Sequence, residues 1–187
     1  MDSDKVRLRR LWRARLVSSA PGVGPAAAAL EAWAQPFEAV LATLPLRDEP
    51  DLTAFYRSWL AAGKRLALSR ISDGCLQFIW VTGMDGPWEI TPQGLREPAA
   101  SDAWAPGPRT LVLIPGLAFA PAPEGGVIRL GRGGGYFDRW LAVHRESVTT
   151  LGVGYPFQLT DTLPREPHDI PLDGYLDSRG FHGLRQN

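Results

Sequence analysis

The stretch that decides the fold is Leu111–Leu141, LVLIPGLAFAPAPEGGVIRLGRGGGYFDRWL. It opens on a compact apolar run, Thr110 to Ile114, closed by Pro115-Gly116, the pattern of a strand buried on both faces of a parallel sheet. About fifteen residues later comes Gly131-Arg-Gly-Gly-Gly135, four glycines in five positions. Side-chain packing gives no reason for that density. Glycines permit positive φ angles and let successive backbone N–H groups point at an anion. Tyr136 to His144 reads as a helix, so the loop meets a helix N-terminus whose amides and dipole add to an anion site. Arg129 and Arg132 flank the loop with fixed positive charge, and phosphate is the anion this combination suits. Two familiar glycine patterns fail. No Lys-Ser or Lys-Thr pair follows the glycines, as a P-loop requires, and Tyr136 stands where the dinucleotide fingerprint needs its third glycine. On these residues alone a flexible surface loop remains an open alternative.

Working outward, Val148 to Tyr155 reads as a second buried strand, and Arg65 to Ile71 and Leu76 to Val81 as two more. Phe37 to Leu44 fits a strand or a short helix. A first helix begins at Ser3 or Asp4, either able to cap it, and runs to about Leu16. Ser18 to Pro25 is a linker. An alanine-rich helix spans Ala26 to Gln35 and stops at Pro36. Asp51 caps a helix with Leu52, Phe55, Trp59 and Leu60 at helical spacing and Gly63 as its stop. Gly83 to Pro108 lacks periodicity and reads mainly as loop. Strands alternating with helices imply a single-domain α/β protein over residues 1–187, a three-layer α/β/α arrangement with a mainly parallel sheet and helices on both faces.

The 187 residues suffice for a full core. Twenty basic residues balance twenty acidic ones, which leaves no global electrostatic case for nucleic acid or an anionic membrane. No apolar run approaches a membrane span, and the charged N-terminus lacks a signal-peptide core. With Cys75 as the only cysteine, the expectation is a cytoplasmic protein. Leu76, Phe78 and Ile79 beside it suggest that this thiol is buried and inert.

The sequence from Ile114-Pro-Gly-Leu-Ala-Phe119 through Arg129-Leu-Gly-Arg-Gly-Gly-Gly-Tyr-Phe-Asp138 resembles the signature of the 5-formyltetrahydrofolate cyclo-ligase family. Other segments fall in the family's order. Lys5 and Arg9 resemble its Lys-x-x-x-Arg pair, and Leu44 to Asp51 the segment whose glutamate, here Glu49, contacts the pterin. Gly94-Leu-Arg-Glu97-Pro98 resembles a family turn, and Gln158 with Leu163 to Asp169 the region that keeps a Gln and a His-Asp pair. The resemblance runs from about Lys5 to Asp177. Departures are Phe137 for a second tyrosine, Ser69 for a proline, Asp48 for a glycine, Pro156 for a polar residue and Asp177 for a threonine.

The resemblance implies ATP- and Mg²⁺-dependent conversion of 5-formyltetrahydrofolate to 5,10-methenyltetrahydrofolate, with small-molecule substrates and a monomer or weak dimer. It implies an ATP site of Lys5, Arg9, Arg129, Leu130, Gly131, Arg132, Gly133, Gly134, Gly135 and Tyr136, with Arg129 and Tyr136 acting catalytically. Glu49 and Tyr136 would hold the folate, and Asp138 and Asp169 the magnesium, with His168 orienting Asp169 or standing behind the metal. No tryptophan is assigned to the pterin; Trp104, in the proline-rich loop, is the one to test. Two alternatives stay open: a non-catalytic nucleotide- or folate-binding relative, and an isomerase or CoA-transferase-like enzyme of similar fold.

Overall fold

The computed structural model describes residues 4–19, 24–25, 27–92, 94–107 and 109–183. Ser3, Ala26, Pro108 and residues 20–23 of the Ser18–Pro25 linker lie outside them. A central sheet runs in the order β11 (Gly180–His182), β10 (Gly174–Asp177), β9 (Thr149–Val153), β6 (Thr110–Pro115), β1 (Ala39–Ala42), β2 (Arg65–Ser72), β3 (Cys75–Val81). β10, β9, β6, β1 and β2 are mutually parallel, and β11 and β3 close the edges antiparallel. The Phe37–Leu44 segment therefore resolves as a strand. It lies between β2 and β6, where its buried Ala39 to Ala42 are covered on both faces.

The period of two divides the core. Val40, Leu66, Leu68, Leu111, Leu113 and Leu151 face α2 (Ala27–Ala34) and α3 (Thr53–Ala61), which contribute Leu30, Phe55, Tyr56 and Trp59. Leu41, Ala67, Val112 and Ile114 face the other way, onto α4 (Tyr136–His144) with Trp140 and Leu141. Each of the large side chains contributes about 1.5–3 kcal/mol by leaving water. The expected three-layer α/β/α arrangement is what forms. Asp51 Oδ1 accepts the Thr53 amide at 2.9 Å, and Gly63 ends α3 at φ +72°.

Several details differ from the sequence reading. The Pro- and Gly-rich run after β6 is a hairpin, β7 (Ala118–Pro121) and β8 (Val127–Leu130). Its turn residues masked two short strands. α1 (Asp4–Ser18) packs Trp12 and Leu16 on this hairpin against Leu117, Leu130 and Tyr155. Within the expected loop, β4 (Trp88–Ile90) pairs with β5 (Arg96–Pro98). Cys75 is exposed. It begins β3 just after the Asp73-Gly74 turn, and alternation buries Leu76 and Phe78 while turning Cys75 and Gln77 outward. Trp104 is core, with its ring 5.5 Å from Trp140 and Nε1 donating to Thr110 Oγ1 at 3.2 Å, so it offers no pterin contact. Among the described residues no helix is long and apolar enough to cross a membrane.

Candidate functional site

A cleft of about 1390 Å³ lies at the C-terminal ends of the parallel strands, where open α/β sheets place their ligands. Chain reversal alone brings its parts together. The β1–α3 loop supplies Glu49, Pro115 ends β6, Tyr155 follows β9, and α1 supplies Lys5 and Arg9 one turn apart on its inner face. The glycine loop follows β8. Gly135 caps α4 at φ +64° and Gly133 sits at φ +109°. In both, the positive φ explains the glycine. Every residue assigned above to ATP, folate or metal lines this one cleft.

The charges are organised in three groups. Lys5, with a side chain 7% exposed, donates from Nζ to Glu166 Oε2 at 2.7 Å and to Asp169 Oδ2 at 2.5 Å. Burial raises the Asp169 pKa, but the Lys5 hydrogen bond, the Glu166 amide and the Lys5 charge together hold it below the ordinary range. Glu166 is lowered as well, chiefly by its hydrogen bond from Lys5. His168 is exposed, 3.4 Å from Glu166, so Lys5 and the Glu166 amide orient Asp169 rather than His168.

In the second group, Arg129 donates to Asp138 Oδ1 at 3.1 Å and lies over the Phe137 ring at 5.3 Å. Phe137 thereby offers Arg129 an aromatic face without needing a hydroxyl. In the third, Arg132 Nε donates to Glu49 Oε1 at 3.0 Å and NH2 to Asp48 Oδ1 at 2.6 Å. Glu49 also accepts the Leu46 amide at 3.1 Å. Burial pushes the Glu49 carboxyl up, and Arg132 opposes that rise without cancelling it. Asp48, which differs from the family's usual glycine, thus shares Arg132 with Glu49. The glycine loop is tied to α1 by Arg9 Nε to Gly131 O at 3.2 Å and Arg13 NH2 to Arg132 O at 2.6 Å. Tyr136 stands at the cleft, partly exposed, with the Arg139 guanidinium over its ring at 5.0 Å.

The residues present suit a hard cation. Among the described residues Asp138 binds protein through Oδ1 and Asp169 through Oδ2, which leaves one carboxylate oxygen of each for Mg²⁺, a cation that takes few protein oxygens and completes its octahedron with water and phosphate. Glu166, His168 and Asp169 also bring ligand atoms within 4.8 Å of one another, but the Lys5 ammonium already bridges the two carboxylates there. Glu166 went unread in the sequence, although it lies one turn before Asp169. Ile71 and Leu76, which line another part of the cleft, carried no motif, while Ser69 entered only as a departure and Leu95 and Arg96 only within the Gly94–Pro98 turn, with no role assigned.

Such a cleft, with a glycine loop at a helix N-terminus, paired cations and two aspartates, has the make-up of an anion site in an α/β protein. The comparisons make that particular. The sequence pattern of the 5-formyltetrahydrofolate cyclo-ligase family matches residues 5–176, and the chain belongs to that family and is a ligase. It is 30% identical over 155 residues to the 5-formyltetrahydrofolate cyclo-ligase of Mycolicibacterium smegmatis, covering 78% of this chain and 77% of that one. It is 33% identical over 89 residues to a probable 5-formyltetrahydrofolate cyclo-ligase of Caenorhabditis elegans, 43% of this chain and 41% of that one. Its fold is that of the 5,10-methenyltetrahydrofolate synthetase of Aquifex aeolicus, with a TM-score of 0.74 at 24% identity over 98% of this chain and 94% of that one. The Mycoplasma pneumoniae 5,10-methenyltetrahydrofolate synthetase has a TM-score of 0.68 at 19% identity over 93% and 98%.

Proposed function

We propose that this chain, as a single-domain cytoplasmic enzyme and a monomer or weak dimer, converts 5-formyltetrahydrofolate and ATP to 5,10-methenyltetrahydrofolate, ADP and phosphate. The observation that carries this reading is the convergence of Lys5, Arg9, Glu49, the 131–135 glycines, Asp138 and Asp169 on one cleft, from four separate segments of chain.

The formyl oxygen attacks the γ-phosphorus of ATP, the bond to the β-phosphate oxygen breaks, and ADP leaves. N10 of the folate then attacks the activated formyl carbon and loses its proton. The C–O bond breaks with release of phosphate, and the positively charged methenyl bridge remains. Little of this needs a covalent partner from the protein. Positioning and neutralisation of phosphate charge carry it.

The amides of Gly131 to Gly135 and the start of α4 cradle the phosphates, with Leu130 setting the loop on β8. Arg9 and Arg129 lie beside the loop and neutralise charge that develops on the transferring group, with Arg132 contributing from the other side. Lys5 reaches the phosphates by releasing one of its two carboxylates. When bound through Asp138 and Asp169, magnesium would supply Lewis-acid charge to the phosphate oxygens. Glu49, held in place by Arg132, accepts N–H groups from the donor edge of the pterin. Tyr136, partly exposed over the cleft, lies against the formyl end.

The test is direct. Purified protein with 5-formyltetrahydrofolate, ATP and Mg²⁺ should give the near-ultraviolet absorbance of the methenyl product, dependent on ATP. Binding of both ligands without any rise in absorbance would sink the catalytic reading and favour a silent relative.

A further inference from the structure

Six cationic side chains line the cleft: Lys5, Arg9, Arg47, Arg96, Arg129 and Arg132. Four are held by protein carboxylates or carbonyls, as described above. Among the described residues Arg47 and Arg96 have no hydrogen bond or ion pair. They differ in how they are held. Arg96 stacks its guanidinium on the Trp88 ring, 5.1 Å from the centroid. Trp88 pairs with Pro98 across β4–β5, so Arg96 reaches it along the diagonal of the ladder, a spacing long side chains span.

The hairpin that carries Arg96 is itself pinned to the central sheet. Arg70 on β2 bonds Glu89 at 2.7 Å and the Pro98 carbonyl at 2.9 Å. Glu97 accepts the Ile71 amide at 3.3 Å. Both acidic residues nearest Arg96 on the hairpin are therefore occupied with β2. A guanidinium stacked by its face keeps its edge N–H donors for another group, and stacking lowers the entropy lost when they bind. The neighbouring wall of the cleft, Ile71, Leu76 and Leu95, is apolar. An apolar wall ending at an unpaired, oriented guanidinium matches a ligand whose flat apolar segment ends in a carboxylate.

We propose that Arg96 binds a carboxylate of the glutamyl tail of the reduced folate, with Ile71, Leu76 and Leu95 flanking the benzoyl group that precedes it. This rests on the folate reading above and adds the subsite that selects for the tail. Arg96 is a specificity-determining residue, remote from the reacting atoms.

The experiment compares KM for 5-formyltetrahydrofolate with KM for 5-formyltetrahydropteroate, the same molecule without its glutamate, in the natural protein, R96Q, R96K and R47Q. R96Q should raise KM for the glutamyl substrate roughly five- to twentyfold, the loss of a charge-assisted contact at a partly exposed site. It should leave KM for the pteroate and for ATP in place, and R96K should recover part of the loss. An equal rise for both substrates, a loss that follows R47Q instead, or a natural protein with the same KM for both substrates overturns the inference and leaves the cyclo-ligase reading standing. A natural protein that neither turns over nor binds either folate, by calorimetry, overturns the cyclo-ligase reading itself.

Discussion

Replacing Lys5 by methionine keeps the length of the side chain and removes only its ammonium. In the folded protein that side chain is 7% exposed and its ammonium joins two carboxylates, Asp169 being 13% exposed and Glu166 45%. Taking one partner from a buried pair costs about 3–5 kcal/mol when the other charge is stranded. Asp169 is not wholly stranded, because it retains the Glu166 amide at 2.7 Å. A loss of about 2–3 kcal/mol at neutral pH follows. For a chain of this size that lowers Tm by roughly 4–12 °C. The pH dependence tests the cause. The Asp169 and Glu166 pKa values are depressed in the folded state, largely by Lys5. Their stabilisation is therefore present above the ordinary values, 3.8 and 4.5, and is lost as pH falls through the depressed ones. Urea unfolding of both proteins between pH 7 and pH 3 should show the gap narrowing steadily in acid. A gap that stays constant with pH would refute the electrostatic reasoning and assign the loss to packing of α1. A gap under about 0.5 kcal/mol at pH 7 would show the pair to be no stronger than a surface ion pair.

Three further outcomes are expected. Glu49→Gln should raise KM for the folate about 10- to 100-fold, the value of charge-assisted hydrogen bonds, with KM for ATP little changed in the absorbance assay. It should also flatten part of the pH–stability curve. The raised Glu49 pKa makes the folded state hold its proton more tightly, so stability falls as pH rises from 4.5 through the folded value, and urea titrations of the glutamine protein should lack that decline. Asp138→Ala should reduce turnover at least ~10²-fold through loss of phosphate-charge control, while calorimetry still detects folate binding; unchanged turnover would remove Asp138 from the site. Gly135→Ala forces a Cβ at φ +64° and 2.9 Å from the Arg139 guanidinium, costing about 1–2 kcal/mol, read by urea unfolding together with a weaker ATP interaction.

Much was legible in residue order. The apolar run at 110–114, the glycines at 131–135 and the helix at 136–144 appear where local pattern puts them, because each is dictated by neighbours within a few residues: burial on both faces, positive φ, and α4's Phe137, Trp140, Leu141 and His144 on one helical face. Alternation, too, separates Leu41, Val112 and Ile114 from Val40, Leu111 and Leu113, and so assigns the two faces of the sheet. The candidate site residues were picked out for a different reason. The glycine loop and the spacing of Lys5 and Arg9 form a rare enough pattern to point to a family, although nothing in that pattern states who pairs with whom.

Those pairings belong to the tertiary structure. Lys5 meets Asp169 across 164 positions and Arg132 meets Asp48 across 84, and Coulomb interactions at such separations depend on how the chain returns, which no local rule encodes. The exposure of Cys75 turned on the register of an edge strand, and Trp104 went to the core because α4 offered Trp140 to pack against. The β4–β5 hairpin, too short and irregular to signal itself, became visible only once β2 held it in place. Sequence alone pointed to an anion site and to the family, because backbone freedom and charge at close spacing are local properties. The fold decided which charges are spent on one another and which, as at Arg96, stand without an ion pair among the described residues.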